Sequence, residues 1–108
     1  MTTVYISGPI TGYPDYNKNA FIRAEERLTK GGFTVVNPLR INHVLGSNNE
    51  IIVSPTQYHM LTREQYLKND IVHLINCQYI YFIDGWETSR GAVFEKIIAD
   101  ELKIPHIL

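Results

Sequence analysis

Tyr79-Ile-Tyr-Phe-Ile83, closed by Asp84-Gly85-Trp86, is the stretch on which the fold turns. Five apolar, β-favouring residues in a row, with no polar alternation, describe a strand covered on both faces, as in the middle of a parallel sheet. Such a strand needs crossover helices on either side of it in the chain, and both are legible. Upstream, Thr62-Arg-Glu-Gln opens a helix running to about Asn76, with Leu67, Ile71, Leu74 and Ile75 turned inward. Downstream, Ser89 to Lys103 reads as another helix, and Ile104–Leu108 as a terminal strand led in by Pro105.

Further out, Val4-Tyr-Ile-Ser7 is a first strand starting near residue 2 and stopped by Gly8-Pro9. Asn17 to Lys30 is an amphipathic helix with Phe21, Ala24 and Leu28 on one stripe, closed by Gly31-Gly32. Phe33-Thr-Val-Val36 is a second strand, ended by Asn37-Pro38. Residues 42–58, with Gly46, Ser47, Asn48, Asn49 and Pro55, read as one long loop. The order β-α-β-α-β-α-β predicts an α/β, three-layer, flavodoxin- or Rossmann-like domain. Its parallel sheet has about four strands in an order near 2-1-3-4, with helices on both faces. Ligands of such folds bind where the strand order reverses, outside the carboxyl ends of the strands. That expectation brings Ser7–Tyr13 beside Asp84–Gly91.

Composition narrows the function. At 108 residues and 44% hydrophobic, the chain is one domain, residues 1–108. Its formal net charge of -1, without runs of like charge, argues against a nucleic-acid partner. The longest apolar run, near Ile71–Ile83, is broken by His73, Asn76 and Gln78 and falls short of the roughly 18 residues of a membrane span. No secretory leader is visible at the start, so the expectation is a cytoplasmic protein. A lone Cys77 excludes an internal disulfide and reads as core. His43, His59, His73 and His106 lack ligand spacing, so no metal is expected.

Two carboxylates stand out. Glu95 shares a helical stripe with Gly91, Ala92, Ile98, Ala99 and Leu102, opposite the wet face of Lys96, Asp100 and Lys103. A carboxylate on an apolar stripe is costly unless it is paired or performs chemistry. The plain alternative is a buried Glu tied to a Tyr hydroxyl or an Arg. Asp70 sits at the margin of the preceding helix's apolar face, and by itself reads as a half-exposed helix-edge Asp. Together, flanking a switch-point crevice, the two suggest a nucleophile and an acid/base. Thr88-Ser-Arg-Gly91 offers a hydroxyl cap, backbone N–H groups and a guanidinium for an anion, or merely an ordinary N-cap. Ser7-Gly-Pro-Ile-Thr-Gly12 is a weaker cradle, matching neither dinucleotide nor P-loop spacing. Tyr13, Tyr16 and Trp86 are loop aromatics able to stack on a ring, whereas Tyr5, Tyr79, Tyr81 and Phe82 read as sheet core.

Tyr5-Ile-Ser-Gly-Pro-Ile-Thr-Gly12, Asn69-Asp70-Ile71, and Gly85-Trp-Glu-Thr-Ser-Arg-Gly-Ala92 with Glu95 together resemble the nucleoside 2-deoxyribosyltransferase superfamily. The likeness spans essentially the whole chain and is nearest to a short branch, often phage-encoded, of unknown function. It implies that Glu95 attacks C1′ of a sugar and that Asp70 protonates the departing base. It also implies that Ser7, Gly8, Pro9 and Ile10 lie along base and sugar. Where the nucleoside transferases carry an Asp for the 5′-hydroxyl, this chain has Ser89 followed by Arg90, as in the similar 2′-deoxynucleoside 5′-monophosphate N-hydrolases. A hydroxyl cap there suits a phosphate that a carboxylate would repel.

Two departures are expected to matter unequally. The sequence stops after the fourth strand, without the segment that longer members lend to a neighbouring subunit, which favours hydrolysis over base transfer. Gln78, where members often have Asp, counts for little. The expectation is therefore cleavage of the N-glycosidic bond of a 2′-deoxynucleoside 5′-monophosphate by a homo-oligomer. Glu95 and Asp70 carry the chemistry, which calls for no organic cofactor, and Ser7–Ile10, Tyr13, Gly85, Trp86, Ser89, Arg90 and Gly91 bind substrate. The alternatives are a non-catalytic nucleotide-binding or sensing module, and a hydrolase of another ribosyl substrate such as NAD or a cyclic nucleotide.

Overall fold

The computed structural model of the chain describes residues 2–52 and 62–107. Strands β1 (Thr3–Ser7), β2 (Thr34–Val36), β5 (Tyr79–Phe82) and β6 (His106–Ile107) form a four-stranded parallel sheet in the order β2-β1-β5-β6. The crossovers are α1 (Lys18–Lys30), α3 (Arg63–Leu74) and α4 (Arg90–Glu101). This is the α/β architecture expected from the alternation of elements, with the strand order reversing between β1 and β5.

Alternation along β1 sorts the two faces of the sheet. Val4 and Ile6 pack with Phe21, Ala24 and Leu28 of α1, together with Leu39, Ile51 and Ile83. Tyr5 points the other way, into a second cluster with Leu74, Ile80, Ala99 and Ile104 under α3 and α4. Ser7, two residues after Tyr5, shares that second face and is fully buried. The helix starts are explicit in the sequence. Thr62 Oγ1 accepts from Gln65 N–H at 3.1 Å while Gln65 Oε1 accepts from Thr62 N–H at 2.8 Å, a reciprocal capping box for α3.

Residues 42–58 are not one loop. A one-turn helix α2 (Pro38–Asn42) follows β2 at once, and β3 (Val44–Leu45) pairs antiparallel with β4 (Ile51–Ile52). Asn37-Pro38, read as a strand stop, is also a helix start: Asn37 Oδ1 accepts from Leu39 N–H at 3.0 Å and Pro38 takes the first helical position. Glu25 of α1 holds α2 in place by accepting two bonds from Arg40, each 2.7 Å. Positions 53–58, His59 and Leu108 lie outside the described residues.

Ile75 and Leu102 also depart from expectation, being 48% and 52% exposed. Each is the C-cap of its helix, where the 3.6-residue period no longer sets direction. A short 3-10 turn (Pro14–Asn17) precedes α1. No described helix is long and apolar enough to cross a membrane.

Candidate active site: two buried carboxylates in one cavity

A cavity of about 510 Å³ opens at the carboxyl ends of β1 and β5, where the strand order reverses. The loop after β1 contributes Gly8 to Thr11 and Tyr13 to its lining; the start of α4 contributes Thr88 to Ala92. Asp70 of α3 and Glu95 of α4 both line it. Gly8 allows the loop to turn there at all, because a Cβ at that position would come within 2.8 Å of Ile83 Cβ.

Glu95 is 5% exposed, and each of its oxygens has a hydroxyl donor. Tyr5 Oη donates to Oε2 and Ser7 Oγ to Oε1, both at 2.6 Å. The two donors stand on the same face of β1, so strand alternation builds the clamp. Burial pushes the Glu95 carboxyl up to about 8, the charge of Asp70 pushes the same way, and the two hydroxyls oppose both. Burial and the neighbouring Glu95 hold the Tyr5 phenol well above its ordinary range, so it remains a donor.

Asp70 is buried as well, at 8% exposure, rather than half-exposed on a helix edge. Desolvation raises its carboxyl to about 7, opposed by a hydrogen bond from Asn42. Two carboxyls that repel one another in one cavity titrate as a pair. Of the two, Glu95 holds its proton the more tightly, and both titrate close enough to neutral pH for either to exchange a proton there.

Ser89, which also lines the cavity, caps α4, its Oγ accepting from Ala92 N–H at 3.2 Å. The N–H groups of Arg90 and Gly91 stand in the first turn, where a helix offers no carbonyl to receive them. The Arg90 side chain and the Cβ-free Gly91 lie at the same rim, and a Cβ on Gly91 would meet nothing within 4 Å. Such a helix start suits an anionic group.

Of the residues expected to bind substrate, Gly8, Pro9, Ile10, Tyr13, Ser89, Arg90 and Gly91 line the cavity; Ser7, Gly85 and Trp86 do not. Ser7 is spent on Glu95. Gly85 takes φ +88° and brings its backbone close to Tyr13, whose hydroxyl would sit 3.0 Å from a Cβ there. Trp86 packs on Phe82 at 4.6 Å between ring centroids, and Tyr16 packs on His43 at 5.4 Å, so neither ring is offered to the cavity.

Sequence reasoning missed Asn42, His43, Arg63 and Tyr66, which also line the cavity. They reach it through α2, which was not foreseen, and through the exposed start of α3. Burial keeps His43 below its ordinary range and hence neutral near pH 7. Cys77 is buried in the second cluster, where burial pushes its thiol up to about 11, as befits a core residue. Among the described residues no group of three or more potential ligands could hold a metal ion.

Residues 2–107 match the family described as Domain of unknown function (DUF4406), and the chain belongs to that family. No curated protein and no solved structure matches it.

Proposed function

We propose that the protein cleaves the N-glycosidic bond of a 2′-deoxynucleoside 5′-monophosphate or a close relative, hydrolysis being favoured over base transfer. The observation that carries this reading is the pairing of Asp70 and Glu95 in one cavity that is also lined by a capped helix start with an arginine. Resemblance of the Gly85–Glu95 segment to the nucleoside 2-deoxyribosyltransferase superfamily supports the same assignment.

The reactive form has Glu95 ionised and Asp70 protonated, the less populated of the two ways to place a single proton, because Glu95 titrates above Asp70. A Glu95 oxygen forms a bond to C1′ as the C1′–N bond breaks, and the electron pair of that bond leaves with the base nitrogen. Asp70 gives its proton to the departing base. The transition state is oxocarbenium-like, as in retaining glycosidases. Water then attacks C1′, returning Glu95 to carboxylate while Asp70 takes the water's proton. The products are free base and 2-deoxyribose 5-phosphate, with the enzyme restored. Ser89, the first-turn N–H groups and Arg90 hold the phosphate, so its binding energy serves to orient C1′.

The same reading includes self-association. Val93, Phe94 and Ile97 leave apolar side chains exposed along α4, and sedimentation velocity gives the state in solution.

The deciding experiment is base release, followed by chromatography, from deoxy- and ribonucleoside monophosphates and their unphosphorylated nucleosides. Glu95→Ala is the control. Release from a monophosphate that disappears in the variant is the expected result. Binding of nucleotides without release from any of them would favour a non-catalytic binding module, for which the clamped Glu95 would be a structural tie. Preference for substrates bearing a 2′-hydroxyl would shift the assignment to another ribosyl compound.

A further inference from the structure

Asn42 ends α2 and lines the cavity together with Asp70. Its amide is held on three sides. Nδ2 donates to the Pro38 carbonyl at 3.1 Å and to Asp70 Oδ1 at 2.8 Å. Oδ1 accepts from Asn69 Nδ2 at 3.4 Å. The Pro38 carbonyl has lone pairs and no proton, so it decides which end of the amide faces it; a flipped amide would set oxygen against oxygen. The NH2 end therefore meets Asp70, and Asp70 Oδ1 is an acceptor whether or not the carboxyl is ionised. A carboxylic acid has a single O–H. With Oδ1 facing a donor, that proton belongs on Oδ2.

We infer that Asn42 is a positioning residue that assigns the Asp70 proton to Oδ2, the oxygen from which the leaving base receives it. The chemical role rests on the glycosidic reading above; the hold on Asp70 does not. In the step concerned, the Oδ2–H bond breaks and its proton goes to the base, which has taken the electron pair of the C1′–N bond. Asp70 is left as a carboxylate, with Oδ1 still accepting from Asn42. The hydrogen bond becomes charge-assisted as that charge develops, so Asn42 stabilises the transition state more than the ground state.

Other titratable or charged groups surround the same cavity: Glu95 and Arg90 of α4, Tyr5 of β1, His43 after α2, and Arg63 at the start of Asp70's own helix. Desolvation raises the Asp70 carboxyl, and it is Asn42 that opposes the rise. Glu25 anchors α2 through Arg40, so Asn42 is presented from a helix with its own attachment to α1.

The test uses Asn42→Ala and Asn42→Leu in the full chain. The second variant keeps the size of the side chain while bringing neither a donor nor a charge, so it covers the case in which Asn42→Ala fails to fold. The Asp70 carboxyl is titrated by carbon-13 NMR in ligand-free protein, and base release is followed against pH. Loss of the donor should raise the Asp70 midpoint by about one pH unit or more. It should lower kcat by about ten- to a hundredfold at nearly constant KM, and move the acid limb of the profile, set by Asp70 as the lower-titrating of the pair, upward with it. A mere tie between helices would lower stability and leave the titration in place. An unchanged Asp70 midpoint in the folded variants overturns the inference. A shifted midpoint without base release from any substrate overturns the glycosidic reading and leaves Asn42's control of Asp70 standing.

Discussion

Glu95→Gln should stabilise the protein, and increasingly so as the pH rises. In the unfolded chain this carboxyl ionises near its ordinary value of 4.5; in the fold, burial moves it to about 8. Below both values it carries its proton in either state, and pH has no hold on the balance. Between them the unfolded chain gains by ionising while the folded one does not. Stability is therefore lost as pH rises through this interval and levels off above about 8. At 1.36 kcal/mol per pH unit the whole interval amounts to about 5 kcal/mol. Asp70 contributes with the same sign between 3.8 and about 7, and the two share one repulsion, so that figure is a ceiling for Glu95.

Gln keeps the shape and sheds the charge. Its Oε1 accepts from one hydroxyl, and its Nε2 donates to the other once that hydroxyl turns. At pH 5 the variant should match the native chain within about 1 kcal/mol; at pH 9 it should exceed it by about 2 to 4 kcal/mol. In a domain this small that is a rise in Tm of about 10 °C or more. Urea unfolding at unit pH steps from 5 to 9, followed by circular dichroism, reads the gap directly. A gap that stays flat, or narrows toward high pH, would refute the claim that burying Glu95 costs the fold its stability.

The remaining expectations concern the groups around that carboxylate. Ser7→Ala leaves Glu95 Oε1 without its donor, so the ionised form is harder to reach. The alkaline limb of the pH–rate profile, set by Glu95 as the higher-titrating of the pair, should move upward, with a rate loss of about ten- to a hundredfold at neutral pH. Gly8→Ala sets a Cβ 2.8 Å from that of Ile83 and should cost about 1 to 3 kcal/mol in thermal unfolding. Gly91→Ala meets open space, so stability should hold or rise by up to about 1 kcal/mol. On the proposed phosphate assignment, calorimetric titration with a deoxynucleoside monophosphate should nevertheless show weaker binding, because a methyl group is added at the helix start.

How far the sequence spoke depended on how local each cause was. The crossovers and the strand order were legible because Phe21, Ala24 and Leu28, Thr62 with Gln65, and the run at Tyr79–Phe82 carry their reasons within a few residues. Glu95 was legible for the opposite reason: it breaks the stripe it sits on, and only a partner or a task accounts for that. The structure supplies the partner, since Glu95 is tied to a Tyr hydroxyl, and sets the same carboxyl at the wall of the cavity. The length of α3 was legible too, but its burial was not. Asp70 looked marginal because α3 alone gives it an edge position, whereas α2 packs against α3.

The missed helix explains the missed residue. Asn37-Pro38 satisfies two readings at once, the end of a strand and the N-cap and first residue of a helix, and nothing between Pro38 and Asn42 repeats often enough to decide. Once α2 is granted, Asn42 falls four residues after Pro38, one turn on, with its amide in reach of the Pro38 carbonyl. That bond fixes the amide's orientation, and the orientation is what Asp70 receives across 28 positions of chain. A contact of that span has no periodic signature. Its only sign in the sequence is a polar residue at the end of a turn too short to be recognised, which is why Asp70 was legible in the sequence and its partner Asn42 was not.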